Sequence, residues 1–395
     1  MKTSKKVSVV HINDAITPGG SLVVMDSLIK GTSKENIENR AIIADRPENL
    51  DITLDNIEYD VLRHKYSYLE HSQLISSIEG KNKYIRLLYL LAFEAKKKIY
   101  DFIYLFKIIQ ILKNKPFDLI HIHSTLLPCF ACILTKSPFI YHLHGLHAKY
   151  TKTGVFLMNS AQSIIAISNY IAQTAIKHGI SKDKITVLAN PLRPSPMPRP
   201  LKESYKSNTD EVLIGHFGRI VPWKGQLEFI EAFAIVKKNF PHISAIIVGE
   251  VTDGNDEYFQ SLTDRIADLN IQDSIHFLGY KNNTADYYNI CDIIVHSSIE
   301  PEPFGLVIIE SMAAGKPVIA SSLGAAPEII DDGITGLIAD PRDKDKLSAQ
   351  IISLVKSTKL RGELGANAQI EVDKSYRLDF IAKKFSSMYK EISDL

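Results

Sequence analysis

Between residues 190 and 200 the chain reads NPLRPSPMPRP, and this stretch constrains the fold more than any other. Proline has no amide hydrogen to give to a ladder, and its ring clashes with the preceding helical turn. Five prolines in eleven residues therefore exclude strand and helix alike. The segment reads as a stiff linker. It divides 395 residues into two parts, each large enough to bury a core of its own. The expected division is a first domain over 1–190, a linker over 191–204, a second domain over 205–375, and a C-terminal helix over 376–395 that crosses back to the first domain.

The same pattern occurs on both sides of the linker. VSVVHI (7–12), FDLIHIH (117–123), FIYHLH (139–144) and SIIAIS (163–168) are short apolar runs, each followed by a helical or turn-rich segment. After the linker, VLIGHFG, ISAIIVGE, SIHFLGY, CDIIVHSS and KPVIASS alternate with helix-like segments such as QLEFIEAFAIVKKN. Apolar runs with helical spacers predict parallel sheets covered on both faces. The expected fold class is α/β, with two Rossmann-like, doubly wound domains facing across a cleft, where small ligands tend to bind.

The net charge of +1 hides an asymmetry: residues 1–200 carry 26 Lys and Arg against 16 Asp and Glu, and the remainder 20 against 29. Residues 81–115 hold nine of those cations among closely spaced aromatics. They read as helical, either as a pair of core-facing helices with basic outer faces or as a surface lying against anionic lipid. The first apolar run stops at Val10, short of a signal-peptide core, and no uncharged stretch of 18 residues could span a bilayer, so the expected location is the cytoplasm. Three cysteines suit a reducing compartment, and the lone CxxC of Cys129 and Cys132 reads as core.

In an open α/β sheet the ligand lies beyond the carboxyl ends of the strands. In the second domain that rule selects the loop Arg219–Gly225 (RIVPWKG), the turns at Gly249 and Gly279, and the EPEPFG loop. Arg219 and Lys224, two cations ahead of a helix, suit a phosphate or diphosphate. Phe304 and Gly305 lead into the helix starting near Leu306, so backbone N–H groups there can face a ligand. Glu302 on the incoming loop and Glu310 in the helix can address two parts of one elongated ligand. A carboxylate accepts two hydroxyl donors at once, so vicinal diols are natural partners.

Gly218-Arg219, Lys224-Gly225, Val248-Gly249, Phe277-Leu278-Gly279, EPFGLVIIESMAAGKPVIAS and DDGITGLI, in that order, resemble the C-terminal domain of glycosyltransferase family 4, the retaining group 1 enzymes of GT-B fold. The resemblance covers nearly all of 211–345. It implies that Arg219 and Lys224 hold the diphosphate of a UDP- or GDP-linked sugar, that Glu310 binds the ribose hydroxyls, and that Glu302 binds the transferred sugar, with backbone near Gly249, Gly279, Phe304, Gly305 and Leu306 assisting. The first domain is similar more loosely: Pro18-Gly19-Gly20 matches a glycine loop that approaches the diphosphate, and His144 the histidine that contacts the donor sugar. His11 and His123 would line the acceptor side. NPLR at 190–193 and Gly324-Ala325 depart from the family pattern, without an expected effect on the charged contacts.

The implied activity is transfer of a sugar, with retention, to a glycan or lipid-linked glycan acceptor, in synthesis of a bacterial surface polysaccharide such as O-antigen or capsule. It would need no cofactor, and the enzyme could sit at the cytoplasmic face of the inner membrane. No nucleic-acid partner is expected. Histidines 121, 123, 142, 144 and 147 lack an accompanying carboxylate or cysteine cluster, so no metal site is assigned. Asp343-Lys344-Asp345 reads as a helix cap rather than a cation site. The competing readings are a sugar 2-epimerase of similar architecture and a non-catalytic sugar-nucleotide-binding subunit.

Overall fold

The computed structural model describes residues 6–15, 19–46, 52–54, 57–62, 82–115, 117–123, 125–145, 150–194, 198–199, 201, 205, 210–252 and 254–394. Pro18, His147 and much of the proline-rich stretch lie outside these residues. The chain forms two compact units: 1–167 with 171–191 and 379–395, and 168–170 with 192–378.

The first unit is built on seven parallel strands: β1 (Val7–Asn13), β2 (Ile37–Ile43), β3 (Glu58–Val61), β4 (Leu119–Ile122), β5 (Phe139–Leu143), β6 (Ser163–Ala166) and β7 (Ile185–Val187), in the order β3-β2-β1-β4-β5-β6-β7. The helix Leu378–Ser393 packs on this sheet. Its Ile381, Phe385, Tyr389 and Ile392 join Val9, Leu119, Ile140 and Ile165 in one buried core.

The second unit has six parallel strands: β8 (Val212–Phe217), β9 (Ile243–Val248), β10 (Ile275–Gly279), β11 (Ile293–His296), β12 (Val318–Ser321) and β13 (Leu337–Ala339), in the order β10-β9-β8-β11-β12-β13. Every residue of β8, β9, β11 and β12 is buried, as expected of strands covered on both faces. Gln226–Asn239 supplies Phe229, Ile230 and Phe233 to the same core.

Residues 83–114 form one helix of 32 residues rather than a pair. Asn82 caps it by accepting from the Tyr84 N–H at 2.9 Å, and no proline or glycine interrupts it. Only Tyr104, Ile108 and Leu112 are buried, one residue per turn along its C-terminal half. The core-facing expectation therefore fails for the N-terminal half, where Tyr84, Leu88 and Leu91 are exposed.

Candidate functional site

In the second sheet the strand order departs in opposite directions from β8 and β11, so the crevice beyond their carboxyl ends is the place for a ligand. The turn Pro222–Lys224 follows β8, and the loop holding Glu302 follows β11. These two loops touch at Gly225, whose φ is +72° and whose added Cβ would lie 1.9 Å from the Ser297 carbonyl oxygen. Only glycine can stand there.

That contact brings Lys224 against Glu302. Lys224 Nζ donates to Glu302 Oε1 at 2.6 Å, while His296 Nε2 at 2.6 Å and Ser298 Oγ at 2.9 Å donate to Oε2. The Lys224 and Glu302 side chains are 10% and 13% exposed. Burial pushes the Glu302 carboxyl up, but Lys224, followed by His296, outweighs it and holds the group well below the ordinary carboxylate range. The carboxylate is therefore ionised and firmly oriented. Beneath it His216 Nε2 meets Ser297 Oγ at 3.1 Å, and burial lowers this imidazole to about 3, so it is neutral.

Arg219 is exposed at the end of β8, its backbone held by Gln226 Nε2 at 2.8 Å. Gly249 and Gly279 stand at the ends of the neighbouring strands, joined by the Gly249 N–H donating to the Gly279 carbonyl at 3.0 Å. Gly305, with φ +112°, is the N-cap of Leu306–Ala313 and offers no side chain to the first turn. Phe304 is buried and meets Tyr376 edge-on, and Leu306 is half-buried.

Glu310 has a different environment. Its Oε2 accepts from the Tyr288 hydroxyl at 2.9 Å, and burial raises its carboxyl, opposed by Tyr288 and by the charge of Arg193. The NPLR departure thus reaches a residue matched to donor binding, contrary to expectation. The second departure does too: Gly324, φ +70°, lies where a Cβ would sit 2.3 Å from the Glu302 carbonyl oxygen, and the Ala325 N–H donates to that oxygen at 2.9 Å.

In the first unit Gly19 is the N-cap of Gly20–Ser33, in extended conformation, and both glycines are exposed at the carboxyl side of β1. His144 follows β5 and is half-buried. Alternation along the strands places His121 and His123 on one face of β4 and His142 and His144 on the same face beyond it, with His11 opposite His121. The rings are linked: His11 Nδ1 to His123 Nε2 at 3.0 Å, His123 Nδ1 to His144 Nε2 at 3.0 Å, and His121 Nε2 to His142 Nδ1 at 3.1 Å. Two sets, His11-His121-His123 and His123-His142-His144, bring three ring nitrogens within 4.8 Å of one another and are the residues that could reach a metal.

Several contributors went unread in the sequence. His296, Ser297 and Ser298 end CDIIVHSS, and the strand-end rule that selected Arg219 applies equally to them. Tyr288 and Tyr389 had no local signal, because their partners Glu310 and His121 stand 22 and 268 residues away, and neither had Asn39, whose ring partner His11 stands 28 residues away. Cys129 and Cys132 are buried thiols, and Asp343 caps Lys344–Lys356 by accepting from the Lys346 N–H, as expected.

Two family models match the chain: Glycosyltransferase Family 4 over residues 18–195 and Glycosyl transferases group 1 over residues 199–371. The chain is 24% identical to N-acetyl-alpha-D-glucosaminyl L-malate synthase of Bacillus anthracis, over 74% of this chain and 80% of that protein. It is 27% identical to the capsular polysaccharide biosynthesis glycosyltransferase CapM of Staphylococcus aureus, over 67% and 73%. The fold matches that of Anabaena HepE, solved with UDP and glucose, with a TM-score of 0.76 at 22% identity over 98% of this chain and all of that one.

Proposed function

We infer a specific reaction from the fact that this chain belongs to the group 1 glycosyltransferases and is itself a glycosyltransferase of GT-B fold: transfer of a sugar, with retention of anomeric configuration, from a nucleoside-diphosphate sugar to a glycan or lipid-linked glycan acceptor. The observation that carries it is the Lys224–Glu302 pair at the switch point of the second sheet. Breaking the bond between the anomeric carbon and the phosphate oxygen builds negative charge on the diphosphate, and stabilising that charge is the protein's main task. An ammonium carries three protons; Glu302 takes one and orients the rest, leaving them for phosphate oxygens. Arg219 adds a second, exposed cation, and the two together serve without a divalent ion. Glu302 then borders both leaving group and sugar, while Glu310 sits at the ribose end. The departing phosphate accepts the proton of the attacking hydroxyl.

The two carboxylates give the test. Glu310→Gln replaces one acceptor oxygen with a donor and mismatches a diol by roughly 1–3 kcal/mol. It should weaken binding of the bare nucleoside diphosphate. Glu302→Gln should bind that nucleotide almost normally and lose affinity or turnover for the intact sugar nucleotide. Calorimetry with both ligands decides; equal weakening of the bare nucleotide by both variants would remove the two-ended assignment.

The acceptor is proposed to be lipid-linked and to belong to a surface polysaccharide, in line with the name of CapM. Tyr84, Leu88, Leu91, Ile99, Phe102 and Phe106 form an exposed stripe along Lys83–Asn114, about 33 Å long at 1.5 Å per residue. Seven Lys and Arg against two acidic residues accompany it on that helix. No helix among the described residues is long and apolar enough to cross a membrane. Such a stripe fits the surface of an anionic bilayer, at the cytoplasmic face. The protein is expected to pellet with anionic vesicles and to release as salt rises, with Phe102→Glu weakening the attachment. Equal binding to neutral vesicles, or none to either, would count against this docking face.

A further inference from the structure

Glu302 and Glu310, both in the second unit, are furnished with very different numbers of donors. An ionised carboxylate has about four lone-pair sites. Among the described residues Glu302 receives three side-chain donors, Lys224, His296 and Ser298. Glu310 receives one, the Tyr288 hydroxyl at 2.9 Å to Oε2. Glu302 is therefore nearly filled, whereas Glu310 keeps room for both hydroxyls of a vicinal diol.

The donor to Glu310 is fixed by its ring. Tyr288 lies in the short helix Thr284–Ile290 and is 2% exposed. Its ring centroid is 4.1 Å from that of Phe217, the last residue of β8. Phe217 can take that place because Gly215 has no side chain: a Cβ there would lie 2.6 Å from the Phe217 ring and 2.7 Å from Cys291 Sγ. A hydroxyl buried so deeply needs a partner. Of the two polar side chains beside it, Ser311 is a neutral acceptor whose own proton goes to the Val307 carbonyl at 2.6 Å, and the Glu310 carboxylate is the stronger acceptor. Burial, followed by the charge of Glu310, pushes the Tyr288 phenol well above its ordinary value, so it keeps its proton and donates.

We propose that Tyr288 is a positioning residue: its hydroxyl pins Oε2 of Glu310, so that the carboxylate turns its remaining lone pairs to the two ribose hydroxyls of the nucleotide. The ribose end rests on the role given to Glu310 in the proposed function. The same hydrogen bond governs the charge of Glu310. Burial raises this carboxyl, and the Tyr288 hydroxyl, then the charge of Arg193, oppose the rise. Without Tyr288 the group takes up its proton at a higher pH, and a protonated carboxyl has lost part of the acceptor that a diol needs.

The hold on Glu310 is measured first without ligand. In whole protein labelled with 13C at the glutamate carboxyls, the Glu310 signal is the one absent in Glu310→Gln, and its titration is followed from about pH 5 to about pH 9. Tyr288→Phe keeps the ring against Phe217 and removes one oxygen; it should move the Glu310 midpoint upward. Should that variant fail to fold, 3-fluorotyrosine in place of Tyr288, a stronger donor of nearly the same size, should move the midpoint downward. An unmoved midpoint in a folded variant overturns the positioning role. Calorimetry with UDP and with GDP then tests the ribose contact. The ratio of wild-type to Tyr288→Phe affinity should reach about tenfold between the two midpoints and shrink toward one as pH rises above both; the fluorinated protein should depart from wild type in the opposite sense. A ratio that stays the same at every pH marks a merely structural loss and overturns the proposal. A midpoint that moves without any change in affinity, or a wild type that binds neither nucleotide, leaves Tyr288 holding Glu310 and overturns the contact with ribose.

Discussion

Arg219→Ala is expected to lower turnover by roughly 10²–10³, the order seen when one donor to a developing charge is removed, with folding intact because the side chain is exposed. Lys224→Ala should lower turnover as much and, unlike Arg219→Ala, weaken the fold. Removing one partner of a buried ion pair strands the other, a loss of about 3–5 kcal/mol, and the partner here is ionised Glu302 inside the protein. The pH dependence has a definite sign. Glu302 is depressed in the folded state, so its stabilisation is present above its ordinary value of 4.5 and lost as pH falls below it. The stability gap between wild type and Lys224→Ala should therefore narrow under acid, which urea unfolding at pH 7 and near pH 4 will measure. Near-normal turnover from folded Arg219→Ala would remove the leaving-group assignment, and a Lys224→Ala protein as stable as wild type would remove the account of the buried pair.

The second large effect belongs to the first unit. His11, His121, His123 and His142 are buried and neutral: burial is the first cause for all four, neighbouring rings add to it for His121, His123 and His142, and the Asn39 hydrogen bond opposes it in part for His11. The unfolded chain binds protons at about 6.5 that the folded one refuses, so stability is complete above that value and falls as pH drops through it. Each such group withdraws up to about 1.4 kcal/mol per pH unit. Between pH 7.5 and 5.5 the four together should lower the unfolding midpoint of this unit by roughly 10–20 °C. Circular dichroism follows it, while fluorescence of Trp223, the single tryptophan, reports on the second unit. An unchanged midpoint over that range would mean that these rings are protonated or open to solvent in the fold.

The fold was legible where burial leaves a plain trace. Strands covered on both faces read as apolar runs, and β1, β4–β6 and β8–β12 were found that way. β2 was missed because IENRAII carries Asn39 and Arg40, whose burial depends on contacts outside the strand: Asn39 Nδ2 meets Thr32 of the preceding helix, and Arg40 Nη2 donates to Asp60. β3 is a mostly exposed edge strand, and β7 and β13 have three residues each. The helix of residues 83–114 was legible as helix, but its exposed apolar stripe was not, since periodicity reports a face without saying what covers it. In the site, charged residues at strand ends were legible one by one. That Lys224 and Glu302 hold each other, with His296 and Ser298 closing around the carboxylate, depends on Gly225 and Gly324 bringing separate loops into contact. No local spacing encodes such an approach.

The central claim is tested most directly by incubating the metal-stripped protein with UDP- and GDP-linked sugars, with and without lipid-linked glycan acceptors, and following both free nucleoside diphosphate and the anomeric configuration of the product. The account predicts acceptor-dependent release without added metal, and a product with the donor's configuration. Inversion of configuration, strict dependence on a divalent cation, or sugar-nucleotide conversion that ignores the acceptor, as in an epimerase, would contradict it.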